Sequence, residues 1–128
     1  MSVVLAGTEL RYAVEGRTII DGISIQACSG RVLAVRGPSG SGKSSLLSML
    51  GGLIAPSGGT VTLDGVQVTP SSDLRLRRRL GMVLQGYGLV TALTARENVA
   101  VVLQAAEVPQ AEVRAAVQAA LERVNIAP

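Results

Sequence analysis

Apolar and polar residues alternate along the first part of the chain. Residues 3–14 alternate weakly, and isoleucines recur over residues 19–25 after a glycine-containing turn. This period of two predicts two or three antiparallel strands joined by short turns. A continuous apolar run at residues 32–35 follows, and it predicts a strand over residues 31–36 that is buried on both faces of a parallel sheet.

The apolar spacing then changes to that of a helix. A helix is predicted over residues 42–50, and two glycines, Gly51 and Gly52, end it. Leucines and a methionine at helical spacing predict its buried face. These four residues are Leu46, Leu47, Met49 and Leu50.

A hairpin is predicted after this helix. Residues 56–59 form a turn, residues 60–63 are strand-like, and Asp64 with Gly65 is a strong turn signal before residues 66–68. Leucines within a basic stretch then predict a helical turn from residue 71 or 72. A short apolar strand is predicted at residues 81–84, ending at Gln85.

The last part of the chain predicts two helices. Thr94 and Glu97 have the spacing of a capping box, in which each side chain accepts a hydrogen bond from the other residue's backbone N–H, and the helix runs over residues 94–106. Pro109 begins the second helix. Its apolar stripe consists of Val113, Val117, Leu121 and Val124.

Composition restricts the class of protein. The chain has 128 residues, which is enough for one modest core. Its single cysteine, Cys28, cannot form an internal disulfide, and no apolar run approaches the roughly 18 residues of a membrane span. With no basic and apolar leader after Met1, the chain is expected to be soluble and cytoplasmic.

Charge gives little support for a nucleic-acid partner. The formal net charge is +3, but four arginines lie together at residues 75–79, and without them the charges nearly balance. A solvated helix face explains this cluster better than a phosphate-contacting surface does. Tyr12 and Tyr87 are the only aromatic residues, so no platform for stacking bases is expected.

Residues 37–44 match the phosphate-loop pattern G-x-x-x-x-G-K-[ST] at every fixed position, between a predicted strand and a predicted helix. Backbone N–H groups of such a loop form a nest for phosphate oxygens, and the helix N-terminus adds partial positive charge. Lys43 would reach the β- and γ-phosphates, and the Ser44 hydroxyl would ligate Mg²⁺. The predicted phosphate-binding residues are Gly37, Pro38, Ser39, Gly40, Ser41, Gly42, Lys43, Ser44 and Ser45.

The alternative is a chance match, in which a glycine-rich turn carries a solvated lysine. The order of strand, loop and amphipathic helix disfavours it, because a chance match carries no such context. The sequence therefore predicts a site for a nucleoside triphosphate.

Four further features resemble the nucleotide-binding domain of ATP-binding cassette (ABC) transporters. Tyr12 lies where that family carries an aromatic residue that stacks on adenine, although an ordinary strand tyrosine is an equal reading. Residues 53–65 resemble the connection after the phosphate-loop helix. Residues 81–87 are similar to the Q-loop, and residues 93–99 closely match L-T-x-x-E-N-V at the entry to the helical subdomain. The whole string looks closest to cassettes of the lipoprotein-release and macrolide-export kind.

The resemblance implies specific roles and partners. Gln85 would contact Mg²⁺ and the attacking water and relay the nucleotide state to a transmembrane permease subunit. Lys43 and Gln85 are thus the implied catalytic residues, with Ser44 and Gln85 at the metal. ATP with Mg²⁺ would be bound between two such domains, at the inner face of the plasma membrane.

Several parts of the family pattern do not occur in this chain. It contains no histidine, no L-S-G-G-Q signature, and no apolar strand ending in Asp-Glu. It resembles the front half of a cassette, with a phosphate-loop core and antiparallel β subdomain at residues 1–93 and the start of a helical subdomain at 94–128. The implied fold is α/β and truncated, with ATP binding retained and turnover lost. Unpaired strand edges would make the chain marginally stable or self-associating.

Two other functions remain open. One is a nucleotide-binding module without catalysis. The other is the N-terminal half of a DNA-repair or chromosome-maintenance ATPase head, although no heptad run begins in this chain. A small GTPase or nucleoside kinase is disfavoured because no Asn-Lys-x-Asp motif occurs.

Overall fold

The computed structural model describes residues 2–86 and 88–126, so Tyr87 of the Q-loop motif lies outside the described residues. The chain divides into two compact units, Met1–Met82 and Val83–Pro128. The boundary between the phosphate-loop core and the helical subdomain, placed between residues 93 and 94 in the sequence analysis, stays a prediction. The elements in order are β1 (Val4–Val14), β2 (Arg17–Cys28), α1 (Lys43–Leu50), β3 (Gly58–Leu63), β4 (Val66–Gln67), α2 (Leu74–Arg77), α3 (Ala95–Ala105) and α4 (Gln110–Arg123).

In the first unit the described strands form one antiparallel sheet with the order β2-β1-β3-β4. β1 and β2 form a hairpin whose turn places Glu15 and Gly16 at φ 50° and 76°. Positive φ at both residues is what the tightest hairpin turns require. The predicted antiparallel strands at the start of the chain are confirmed. Gly58 begins β3, so the predicted turn over residues 56–59 is shorter than expected.

Helix α1 packs against this sheet and closes the core of the first unit. Met49 of the helix and Leu10 and Val61 of the strands are almost completely buried. Leu46, Met49 and Leu50 follow the i, i+3, i+4 spacing of one helix face. Leu47 was predicted on the same face, but it is 48% exposed because one residue step turns it about 100° away.

The strand predicted for a parallel sheet at residues 31–36 and the short apolar strand predicted at residues 81–84 are not formed. Residues 31–36 and 81–84 have no regular secondary structure, and Val32 and Val83 are 98% and 94% exposed. A strand of a parallel sheet needs hydrogen-bonded neighbours. Within the described residues, no such neighbour pairs with either segment. The fold is therefore α/β with an antiparallel sheet, and the prediction of a parallel sheet is wrong for the part of the chain that the structure describes.

The second unit is a pair of packed helices. Thr94 and Glu97 form the predicted capping box: Thr94 Oγ1 accepts from the Glu97 backbone at 3.2 Å, and Glu97 Oε2 accepts from the Thr94 backbone at 2.7 Å. These hydrogen bonds lower the pKa of Glu97. From α4, Val113, Val117 and Leu121 are buried. Val124 is 61% exposed, contrary to prediction, because α4 ends at Arg123.

Asp64 joins three parts of the first unit from the turn between β3 and β4. Its Oδ1 accepts a 2.7 Å hydrogen bond from the Val4 backbone, and its Oδ2 accepts a 2.5 Å charged hydrogen bond from Arg79. The Arg79 guanidinium and then the Val4 N–H lower the pKa of the Asp64 carboxyl below 3.8, its usual value. The ionised carboxylate thus holds the start of β1 and the segment after α2 to one turn.

This geometry predicts an acid-sensitive contribution to stability. Because the pKa of Asp64 is lower in the folded chain, its contribution is present above pH 3.8 and is lost as the pH falls through the folded-state pKa. We expect Asp64→Asn to lower the thermal unfolding midpoint near neutral pH, and the difference from wild type to shrink in acid. Thermal unfolding followed by circular dichroism over this pH range measures both. A difference that stays constant with pH would contradict the assignment, and Arg79→Gln should reproduce part of the effect.

Candidate phosphate-binding site

Residues 37–42 lead directly into α1, whose first two residues are Lys43 and Ser44, as the sequence predicts. Gly42 is the N-cap of α1 with φ 96°, and Gly40 has φ 79°, conformations that favour glycine. A Cβ on Gly42 would lie 2.9 Å from Ile19 Cγ2 and 3.2 Å from Ile20 Cγ1. Strand β2 therefore packs against the back of the loop, and only glycine lets the two approach so closely.

Lys43 lies at the centre of the loop. Its ammonium donates 2.7 Å hydrogen bonds to the carbonyl oxygens of Gly37 and Pro38, and Ser41 Oγ lies 3.4 Å away. These bonds curl the start of the loop around the side chain. Lys43 is also the sole lysine of the chain, since every other basic residue is arginine.

The N-terminus of α1 is open to an anion. It has no side-chain cap and no acidic residue in its first turn. The first intrahelical bond runs from the Leu46 N–H to the Gly42 carbonyl, so the preceding N–H groups of the helix have no intrahelical acceptor. Unpaired N–H groups and the helix dipole together favour a phosphate group at this end.

A cavity of about 230 Å³ lies beside the loop. Its aliphatic lining residues come mainly from β2 and α1, and the remaining lining residues are 36–38 and 41–43. No acidic side chain lines it among the described residues. The aliphatic lining residues are Ile20, Ile23, Val35 and Leu46.

The structure places the predicted site residues in three locations. The phosphate-loop residues are contiguous and mostly exposed, with Gly42, Lys43 and Ser45 half-buried. Tyr12 lies opposite Ile20 in the sheet and is half-buried against the core, so its role in stacking on adenine stays a prediction. Gln85 belongs to the second unit, where it is exposed in a turn.

Some residues that line the cavity were not identified as site residues by the sequence analysis. Ile20, Ile23 and Leu46 carry no signal beyond their apolar character. Arg36 does carry a signal of phosphate binding, because it is a cation next to the phosphate loop. The sequence pattern places it only at the end of a buried strand.

Mg²⁺ would fit this site only together with phosphate. The described residues contain no group of three or more His, Cys, Asp or Glu side chains that could hold a metal ion. Ser44 is exposed in the first turn of α1, and its hydroxyl forms no hydrogen bond with the described residues. One hydroxyl suits an ion that keeps several waters and takes its remaining oxygens from substrate phosphates.

Comparison with known families identifies the family of the chain. The ABC transporter family profile matches residues 20–128, which include the phosphate loop, the Q-loop motif and the capping box. The chain belongs to the ABC transporter family. Membership confirms the resemblance inferred from the motifs.

ABC proteins with related sequences occur in several bacteria. An uncharacterized ABC transporter ATP-binding protein of Mycobacterium bovis is 41% identical over 111 residues, which are 84% of this chain and 34% of that protein. The methionine import ATP-binding protein of Caulobacter vibrioides is 42% identical over 118 residues, 90% of this chain and 36% of that protein. The sn-glycerol-3-phosphate import ATP-binding protein of Paracoccus denitrificans is 38% identical over 121 residues, 94% and 33% respectively.

The ABC relatives are longer proteins. This chain spans about a third of the length of the relatives that it matches. None of the helices in residues 2–86 and 88–126 is long and apolar enough to cross a membrane. The similarity to cassettes of the lipoprotein-release and macrolide-export kind stays a prediction.

Proposed function

We propose that this chain is an ATP-binding subunit of an ABC transporter and that residues 37–45 hold the phosphates of Mg-ATP. One observation carries the proposal: the Lys43 ammonium is held inside a glycine-rich loop, beside an uncapped helix N-terminus. Family membership and the names of the ATP-binding relatives support it.

Each part of the loop has a distinct role in this proposal. Lys43 exchanges its two carbonyl partners for phosphate oxygens, which are stronger acceptors because they are charged. Backbone N–H groups at the start of α1 hold the same phosphate chain. The Ser44 hydroxyl would hold Mg²⁺, which when bound supplies positive charge that offsets the charge on the phosphate oxygens.

The adenine and the membrane partner involve residues outside the loop. We propose that Tyr12 stacks on adenine and that Gln85 contacts Mg²⁺ and, in a site completed by a second domain, the attacking water. The surface around Gln85 would contact a transmembrane permease subunit at the inner face of the plasma membrane. A second nucleotide-binding domain would complete the ATP site.

We further propose that the described residues bind ATP without turning it over. Phosphoryl transfer to water depends on a group that positions the water and on charges that stabilise the transition state. No acidic side chain among the described residues lines the cavity beside the loop. This observation favours binding alone, which is also the property of a non-catalytic nucleotide-binding module.

A titration with Mg-ATP tests the proposal. Binding is measured by calorimetry and, separately, by the rate at which Lys43 is chemically modified. Because Lys43 is the sole lysine, an amine-selective reagent reports on this site and on the N-terminus alone. We expect one saturable site, and Mg-ATP should slow the modification of Lys43 whereas adenosine should not. Absence of binding heat, together with unchanged Lys43 reactivity, would overturn the proposed function.

A further inference from the structure

Arg36 is a second cation in the cavity beside the phosphate loop. It immediately precedes Gly37 and lines the same cavity as Lys43. Its side chain is exposed, and within the described residues it forms no ion pair and no hydrogen bond. The cavity thus combines two positive charges with no acidic lining residue among those described.

The two cations are not equivalent. The Lys43 ammonium already has two carbonyl acceptors at 2.7 Å, so an incoming anion must displace them. The Arg36 guanidinium has no such acceptor among the described residues. Its planar fork of N–H donors matches the spacing of phosphate oxygens and can bind two of them at once.

We propose that Arg36 is a phosphate-binding residue, which contacts the phosphate chain of a nucleoside triphosphate bound in this cavity. The inference rests on the proposed function, because the nucleotide is the anion for which the site is built. Arg36 would add a second positive charge and, because its guanidinium is planar, would also orient the phosphate chain, whereas the Lys43 ammonium acts as a point charge. The sequence reading of Arg36 as the end of a buried strand does not use its charge.

The chain offers a matched control at the other end of the same segment. Arg31 is also exposed and lies outside the cavity lining. It forms no ion pair with the described residues. Arg31→Gln therefore removes the same charge from the same segment without touching the cavity.

The experiment is calorimetric titration of wild type, Arg36→Gln, Arg36→Lys and Arg31→Gln with Mg-ATP and, separately, with inorganic tripolyphosphate. We expect Arg36→Gln to weaken Mg-ATP binding roughly tenfold or more, as loss of a charged hydrogen bond requires. Arg36→Lys should recover part of the loss, and Arg31→Gln should remain within about twofold of wild type. The thermal midpoint without ligand should be the same for all four proteins.

The outcomes separate this inference from the proposed function. If wild type binds Mg-ATP and Arg36→Gln binds equally well, Arg36 is only a solvated arginine and the inference is overturned, while the proposed function stands. An equal loss in Arg31→Gln would show general charge attraction and would also overturn it. If tripolyphosphate binds in an Arg36-dependent manner and ATP does not bind, Arg36 contacts phosphate but the ligand is not a nucleoside triphosphate, which overturns the inference as stated and the proposed function. No binding of either probe would overturn both.

Discussion

Lys43→Ala should abolish saturable binding of Mg-ATP, with affinity falling at least about a hundredfold. The substitution removes the ammonium that would meet the phosphates. It also leaves the carbonyl oxygens of Gly37 and Pro38 without the donor that curls the loop. Loss of a binding charge and loss of loop geometry therefore act in the same direction.

Calorimetric titration measures this loss, and two further variants define its cause. Arg75→Ala removes one positive charge from α2, outside the cavity lining, and should bind Mg-ATP like wild type. Lys43→Arg keeps the charge but not the compact ammonium, so it should restore little affinity. A Lys43→Ala protein that binds Mg-ATP within about threefold of wild type would show that the phosphates bind elsewhere.

Gly59→Ala should unfold the first unit or come close to it. Gly59 has φ 79° and lies in β3, opposite the irregular part of β1 near Glu9. A Cβ there would overlap the carbonyl oxygens of Thr8 and Glu9 and would lie 2.6 Å from the Glu9 carbonyl carbon. These are backbone atoms of a paired strand, so no side-chain rotation relieves the clash.

Gly65 is the matched control for this substitution. It has φ 80°, nearly the same φ as Gly59, but a Cβ there would meet nothing within 4 Å. Gly65→Ala should therefore show only the cost of the left-handed conformation, about 1 to 2 kcal/mol. Gly59→Ala should lose more than about 4 kcal/mol, a large share of the 5 to 15 kcal/mol that typical domains possess.

Denaturant unfolding followed by circular dichroism compares the two variants. The expected order of midpoints is wild type, then Gly65→Ala, then Gly59→Ala. Equal midpoints for the two variants would show that β1 and β3 leave room for a Cβ at Gly59.

Local sequence signals were sufficient for much of this protein. The hairpin of β1 and β2, helix α1, and the capping box of Thr94 and Glu97 all follow from residues that are close together in the chain. The phosphate loop is of the same kind, because its glycines, Lys43 and Ser44 lie within eight residues. A turn or a helix start depends on its own few residues, so its pattern can be recognised without the rest of the fold.

The errors arose where a residue's state depends on distant neighbours. The apolar run at residues 32–35 predicts burial, but burial on both faces requires strands from elsewhere, and the described residues supply none. The predicted burial of Leu47 and Val124 was wrong for local reasons. Leu47 lies off the buried face of α1, and Val124 lies beyond the end of α4; apolar spacing alone defines neither.

The sequence by itself determined the family, the glycine-rich loop before α1 and the type of each helix and strand that the structure contains. Only the tertiary structure decided that Ile19 packs behind Gly42, that Gly59 has no room for a Cβ, and that Arg36 shares a cavity with Lys43. The physical reason is that a local motif specifies the conformation of its own backbone. Contacts between residues far apart in the chain depend on how the strands pair and on which side chains that pairing brings together.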